Sequence, residues 1–289
     1  MKAPTFDYRL ANSLDDLFDA FDEHGDEAQI LAGGQSLMAS LNLRLSSPAL
    51  LVDINGLDDL AGIDGDEAGG LRIGALARHA AVAADPLIAG RLPLIARAMP
   101  HVAHPAIRNR GTFGGSLALG DPAAELPACA VALGAELVLQ SRAGRRTVAA
   151  EDYYLGLYET ARAPEEILVE GRFAKPDPKQ RCGFTELARR HGDFAIVGIA
   201  CVARIVEDTT LSDLRLVVFG SESHPRLAAN ARAAAEGADL SEASRARIAE
   251  ALMADIEPMD NLQGSADYKR AIAGVLCRRA IGQMIDTVP

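Results

Sequence analysis

Two short stretches carry the groups best suited to chemistry. In Leu31-Ala32-Gly33-Gly34-Gln35-Ser36-Leu37 a pair of glycines leaves main-chain N–H groups uncovered by any Cβ, and Gln35 and Ser36 add side-chain donors. Such a run of donors between a strand and a helix suits a phosphate or pyrophosphate, although a ligand-free strand-to-helix turn has the same composition. Much later, Gly111-Thr112-Phe113-Gly114-Gly115-Ser116 offers a second glycine pair flanked by hydroxyl residues. Two such turns are expected to converge on one pyrophosphate, which makes a dinucleotide the natural ligand. Neither spells the G-x-G-x-x-G of a Rossmann strand-turn-helix, and no Gly-Lys-Ser or Gly-Lys-Thr occurs, so nucleotide hydrolysis is disfavoured.

Other chemistry finds less support. His101 and His104 are close in sequence, but Pro105 breaks the helix that would align them on a metal. Cys129, Cys182, Cys201 and Cys277 are widely separated, with no C-x-x-C pair, which is wrong for an iron–sulfur cluster, a zinc site or a disulfide framework. Any redox metal therefore belongs to a partner. No G-x-S-x-G elbow marks a nucleophile. Asp121 reads as the cap of a following helix or as a ligand to ribityl hydroxyls. The polar cluster Arg189 to Phe194 reads as a solvated strand end.

The elements that must position these residues follow from periodicity. Thr5–Tyr8 reads as a strand, and Ser13 caps a helix with Leu14, Leu17, Phe18 and Phe21 on one face, ended by Gly25. After the first glycine turn, a helix is expected to bury Leu37, Met38, Leu41 and Leu45 before Ser46-Ser47-Pro48 stops it. Ala49–Ile54 is a strand, so the first unit is a β-α-β-α-β module with the glycine turn at its centre. A second unit holds a strand at 71–76, helices near 78–84 and 92–99, an irregular piece at 100–110 and a helix from Glu125 to Leu133. A hairpin around Arg142-Ala143-Gly144 and a strand at 167–173 complete it. Lys175-Pro176-Asp177-Pro178-Lys179-Gln180 is charged, proline-rich and without apolar residues, and marks a domain boundary. Beyond it, strands at 184–189, 195–206 and 214–219 precede helices near 226–236, 241–255 and 266–285, an α+β order.

The 289 residues are 49% hydrophobic, enough for a buried core, and the charge balance, 29 basic against 40 acidic residues, gives −11. That charge argues against a non-specific grip on nucleic acid or anionic membrane. No run reaches the ~20 apolar residues of a membrane span, and Met1-Lys2-Ala3 opens no apolar signal segment, so the expected compartment is the cytoplasm.

Taken together, Leu31 to Leu37, Leu51-Val52-Asp53-Ile54-Asn55, Asn109 to Ser116, Gly120-Asp121-Pro122 with Leu126-Pro127-Ala128, Arg189 to Ala195, and Tyr268-Lys269-Arg270 with Leu276 to Ala280 resemble the FAD-binding medium subunit of the molybdenum hydroxylases. This is the xanthine dehydrogenase and carbon monoxide dehydrogenase family, and the resemblance covers essentially the whole chain. It implies an α+β fold: a PCMH-type FAD-binding domain of two subdomains (residues 1–55 and 56–176), then a C-terminal α+β domain (177–289) of the CO dehydrogenase flavoprotein type. It implies non-covalent FAD, with Ala32, Gly33, Gly34, Gln35 and Ser36 and with Thr112, Gly114, Gly115 and Ser116 of the stretch Thr112 to Ser116 at the pyrophosphate, and with Leu31, Leu37 and Gly111 also among the cofactor-binding residues. Asp121 would sit at the ribityl or flavin end, Val102, Ala103 and Ile107 would line the flavin, and Phe194 would shield a ring face. The implied role is electron transfer within a complex, with no catalytic residue and no metal in this chain. The 2Fe-2S clusters would lie in a small partner subunit and the molybdenum cofactor in a large one, in a dimer of heterotrimers that delivers electrons to an external acceptor. A stand-alone FAD-dependent oxidoreductase of the same fold and a non-redox nucleotide-binding assembly protein are the alternatives.

Overall fold

A computed structural model describes residues 2–207 and 209–285; Met1, Asp208 and residues 286–289 lie outside it. The chain opens with β1 (Asp7–Leu10), α1 (Leu14–His24), β2 (Ala28–Leu31), α2 (Leu37–Asn42) and β3 (Leu50–Asp53). The three strands form a parallel sheet in the order β1-β3-β2. Helical crossovers are what parallel neighbours require, and both α1 and α2 serve as such. Ser13 accepts the Asp16 N–H while Asp16 returns a bond to the Ser13 N–H, a reciprocal cap that fixes the start of α1. Leu17, Phe18 and Phe21 then pack under Leu50 and Val52 of the central strand. Pairing begins at Asp7, so the first strand lies two residues later than its composition indicates.

The helix after the glycine turn is shorter than its apolar spacing predicts. Arg44 takes a left-handed conformation (φ 58°) and turns the chain, leaving Leu41 as the buried residue of α2 while Leu45 is 78% exposed. Met38 is exposed too, on the side of the glycine turn.

The second unit contains β4 (Ile63–Gly65), β5 (Leu71–Gly74), α3 (His79–Ala84), α4 (Pro86–Arg91), α5 (Pro93–Ala98), α6 (Pro105–Arg108), α7 (Phe113–Leu119) and α8 (Glu125–Ala132). It continues through β6 (Glu136–Ser141), β7 (Gly144–Ala149), α9 (Ala150–Tyr153), β8 (Tyr154–Gly156), β9 (Glu159–Thr160) and β10 (Ile167–Phe173). Its main sheet is antiparallel, ordered β4-β5-β10-β6-β7. Pro86, Pro93 and Pro105 each occupy the start of a helix, where a missing N–H costs nothing, and so divide this stretch into short helices.

The charged proline-rich segment lies between β10 and β11 (Gln180–Ala188). With β12 (Ala195–Val206), β13 (Thr210–Phe219) and β14 (Arg226–Leu227), β11 forms a four-stranded antiparallel sheet, followed by α10 (Ala229–Ala235), α11 (Glu242–Leu252) and α12 (Ala266–Gly282). Both faces of this sheet are covered. Val197, Ile199, Cys201 and Ala203 pack with residues of the three helices, while Ala200 and Val202 join the core built on α5 and α8. Burial on both sides is why β12 reads as a nearly unbroken apolar run. Among the described residues no helix is long and apolar enough to cross a membrane.

Candidate functional site

The first glycine turn leaves β2 at Ala32 and enters α2 at Leu37. The N–H groups of Gly33, Gly34, Gln35, Ser36 and Leu37 donate to no acceptor among the described residues; the first helical donor, Met38 N–H, goes back to the Gly34 carbonyl. Gly34 holds φ at +70°, a conformation that glycine adopts without a Cβ penalty. The Gln35 side-chain amide donates to the Gly33 carbonyl at 3.2 Å. Five consecutive unpaired donors at one turn are a receptor for an anion with several oxygens.

This turn borders a cleft of about 310 Å³ lined by Leu31–Gln35, Met38, Asp53, Asn55 and Arg110. The far wall belongs to the second glycine stretch. A Cβ on Gly33 would strike the Arg110 carbonyl and lie 2.8 Å from the Gly111 Cα, so the two segments already touch along their backbones. Asn55 ties them together: its amide donates to the Ala32 carbonyl at 2.9 Å, and its oxygen accepts from Arg78 at 2.6 Å. Arg78 also donates to the Arg110 carbonyl. Burial acts to raise Asp53, but the Asn55 N–H, the Tyr8 hydroxyl at 2.8 Å, the Asn55 amide and the Arg110 guanidinium together hold it below the usual carboxylate range. The one anionic wall of the cleft is thus engaged by donors, and Arg110 adds a positive charge to the lining.

The second stretch departs from its expected form. Instead of a second open turn, Phe113–Leu119 is helix α7, capped by the Thr112 hydroxyl. The N–H groups of Phe113, Gly114, Gly115 and Ser116 are taken by Ala77 O, Ala75 O, Thr112 Oγ1 and Thr112 O. Gly114 is glycine because its Cα packs on Ala75. The second half therefore meets the cleft through Arg110, while Thr112 is buried and its hydroxyl is spent on the cap, so it offers no set of unpaired amides. His79 anchors it from beneath, its Nε2 within 2.9 Å of the Thr112 carbonyl, and burial pushes its imidazole down to about 4, so it is neutral at pH 7.

The other assigned residues lie toward the C-terminal sheet. Arg108 donates to both the Val102 and Ala103 carbonyls at 2.9 Å, fixing Ala103 in a left-handed conformation (φ 47°). The loop after β11 packs on this point, since a Cβ on Gly192 would lie 2.7 Å from the Ala103 carbonyl. Phe194, at the end of that loop, is 61% exposed, and Ile107 is partly exposed. Val102 is core. Asp121 does not cap α8, which starts after Ala124; it accepts the Ala123 N–H at 2.9 Å and the Tyr158 hydroxyl at 3.3 Å, and burial pushes its carboxyl up. Tyr158 (φ 56°, exposed), Asn55, Arg78 and Tyr8 escaped the sequence reading of the site. Asn55 and Arg110 stood in the motifs, but nothing local assigns a partner to a side chain met only across the fold.

A cleft walled by an anion-receptive turn after a small parallel sheet, in a chain whose other two main sheets are antiparallel, is the arrangement of an α+β protein able to take a phosphate-bearing ligand. Residues 4–173 match the FAD binding domain in molybdopterin dehydrogenase, and residues 183–284 match the CO dehydrogenase flavoprotein C-terminal domain. The chain is 36% identical over 99% of its length, and 96% of the relative's, to the 6-hydroxypseudooxynicotine dehydrogenase complex subunit alpha of Paenarthrobacter nicotinovorans. It is 34% identical, over 97% of each chain, to the carbon monoxide dehydrogenase medium chain of Hydrogenophaga pseudoflava. Among solved structures, carbon monoxide dehydrogenase from Hydrogenophaga pseudoflava superposes with a TM-score of 0.95 at 35% identity, covering 98% of both chains. Quinoline 2-oxidoreductase from Pseudomonas putida 86 superposes at 0.94 and 34%, covering 99% of both. The chain belongs to the family of FAD-binding medium subunits of the molybdenum hydroxylases. It is an FAD-carrying oxidoreductase subunit of a multi-subunit enzyme.

Proposed function

We propose that this chain takes electrons from the 2Fe-2S clusters of a small partner subunit and passes them to an external acceptor, while a large partner with the molybdenum cofactor oxidises the substrate. The assembly is a cytoplasmic dimer of heterotrimers, and the chain divides into residues 1–55, 56–176 and 177–289. The observation that carries the cofactor reading is the row of unpaired N–H groups from Gly33 to Leu37 in the cleft wall.

Bound FAD supplies the capacity to accept electrons and release them singly or in pairs. The chain's residues hold and shape it. The Gly33–Leu37 amides and the Gln35 and Ser36 side chains would bind pyrophosphate oxygens, with Leu31 and Ala32 placing the turn. Arg110, Gly111, Thr112 and Ser116 would close the opposite side, with Gly114 and Gly115 allowing α7 to approach. Each bond to a charged oxygen contributes about 1.5–3 kcal/mol, so several together hold a cofactor without a covalent link. Asp121 would meet the ribityl or flavin end, Val102, Ala103 and Ile107 would line it, and Phe194 would cover a ring face.

The test is purification of the native assembly. Stoichiometric FAD together with iron, molybdenum and two further chains supports the relay; an active lone polypeptide refutes it.

A further inference from the structure

The three parallel strands of the first unit end in register. Leu10 of β1 and Leu31 of β2 are the Cα partners of Asp53, the last residue of the central strand β3. Ligands of open parallel sheets bind in the crevice outside such carboxyl ends. Here that crevice is the cleft, since Leu31, the glycine turn that follows it and Asp53 all line it. Neighbouring strands lie about 4.8 Å apart, so Asp53 stands one strand spacing from the entry to the turn.

A carboxylate beside an anion repels it unless the ligand also brings a donor for that carboxylate. Asp53 has room for one. Its Oδ1 accepts the Asn55 N–H at 2.8 Å and the Asn55 side-chain amide, and its Oδ2 accepts the Tyr8 hydroxyl at 2.8 Å. A carboxylate offers about four lone-pair positions, so these bonds leave Oδ2 one acceptor site. Tyr8 is 58% exposed, and its hydroxyl, having donated to Asp53, keeps lone pairs with which to accept. Burial opposes charge at Asp53, but its donors hold it below the usual carboxylate range, so the pair presents acceptors on two adjacent oxygens. Two neighbouring O–H donors, a vicinal diol, are the complement of such a pair.

The position of the acid repeats a known relation. In dinucleotide-binding β-α-β units, an acidic residue about 20 positions after the glycine turn takes a ribose hydroxyl. Asp53 is 20 positions after Gly33, at the end of the parallel strand beside β2, with α2 as the crossover. The glycine spelling differs from that motif, while the strand order and the spacing agree with it.

We propose that Asp53 Oδ2 and Tyr8 Oη accept the 2′- and 3′-hydroxyls of the adenosine ribose of FAD, and so select a cofactor that carries a ribonucleotide diol. The proposal rests on the reading of the cleft as the FAD site. FAD has two sources of adjacent hydroxyls, the adenosine ribose and the ribityl chain. The residues assigned to the ribityl and flavin end, Asp121, Val102, Ala103, Ile107 and Phe194, belong to the second unit and the C-terminal domain, and none of them lines this cleft. Asp53 and Tyr8 belong to the first unit, which leaves them the adenosine side.

The experiment titrates the full-length apo-protein with FAD and with its 2′-deoxyadenosine and 3′-deoxyadenosine analogues, followed by flavin fluorescence. Wild type should bind each analogue about 10-fold more weakly than FAD, since each lacks one hydrogen bond. Asp53→Asn should bind FAD more weakly and lose the discrimination against at least one analogue. Tyr8→Phe, at an exposed side chain whose loss leaves the fold intact, should lose the discrimination against one analogue and keep the other. A wild type that binds FAD and both analogues equally overturns the proposal and turns attention to the ribityl chain. An Asp53→Asn protein that weakens FAD and both analogues by the same factor also overturns it, because Asp53 then acts only by holding Asn55. A wild type that binds no FAD is a different failure, which refutes the cleft assignment and the proposal with it.

Discussion

Replacing Gly33 with alanine adds one methyl group at the place where the two halves of the cleft touch. Gly33 is outside the left-handed region, so the backbone tolerates alanine and the penalty is steric alone. The new Cβ would meet the Arg110 carbonyl and the Gly111 Cα, the latter at 2.8 Å, and both are backbone atoms that no side-chain rotation can move. Restoring an ordinary contact of 3.4 Å to the Gly111 Cα alone needs the segments to part by about 0.6 Å, and the nearer Arg110 carbonyl needs more. Overpacking of this kind costs about 1–3 kcal/mol. The displaced segments are the cleft walls, so the cost should appear in cofactor binding, as FAD weakened about 10- to 100-fold at ~1.4 kcal/mol per factor of ten. The assay is titration of apo-protein with FAD, followed by flavin fluorescence, beside a thermal melt of each apo-protein. Gly90→Ala is the control, since its Cβ meets nothing within 4 Å inside α4. A Gly33→Ala protein that binds FAD as wild type does would refute the geometry described for the cleft.

The remaining expectations are these. Gly34→Val forces a branched residue to φ +70° and places its Cβ 3.2 Å from Leu31 Cδ1; flavin should be lost while the circular dichroism of the fold persists. Arg110→Ala should weaken FAD about 10-fold and flatten the salt dependence of binding, since a charge-assisted contact to phosphate is removed. Titration of unfolding should show two opposed slopes. The neutral His79 ring contributes stability present above its unfolded value of 6.5 and lost as pH falls through about 4. Protonated Glu125 contributes stability present below its unfolded value of 4.5 and lost as pH rises through about 8. The two cancel between about pH 4.5 and 6.5, and stability then falls by roughly 1.4 kcal/mol per pH unit up to about pH 8. In denaturant titrations Glu125→Gln should remove that fall; a slope unchanged in the variant would show that Glu125 does not cause it.

Local signals carried much of the architecture. Ser13, the apolar face of α1, the glycines at 33–34 and the run at 49–54 specify the first module residue by residue, because each of its elements is built from neighbours in sequence. The same is true of β12, whose double burial shows in its composition. The short strands β4, β8, β9 and β14 were not legible, since two or three residues hold no period and owe their conformation to a partner strand. The second glycine pair misled for a related reason: Gly114 and Gly115 have the composition of an open turn, but the Ala77 and Ala75 carbonyls, distant in sequence, take the Phe113 and Gly114 N–H groups, and the Thr112 hydroxyl takes that of Gly115, so the segment becomes a helix start. In the site, the donors of one turn could be read from the sequence, whereas the Asn55–Arg78–Arg110 tie exists only where separate units meet.

The central claim is that this chain carries FAD as a relay between iron–sulfur clusters and an acceptor. Its most direct test is the visible spectrum of the anaerobic native complex before and after its substrate is added. The account predicts stoichiometric flavin absorbance that bleaches with substrate and returns with acceptor. A complex whose clusters reduce while the flavin on this chain stays oxidised, or a chain isolated in the complex without flavin, would contradict it.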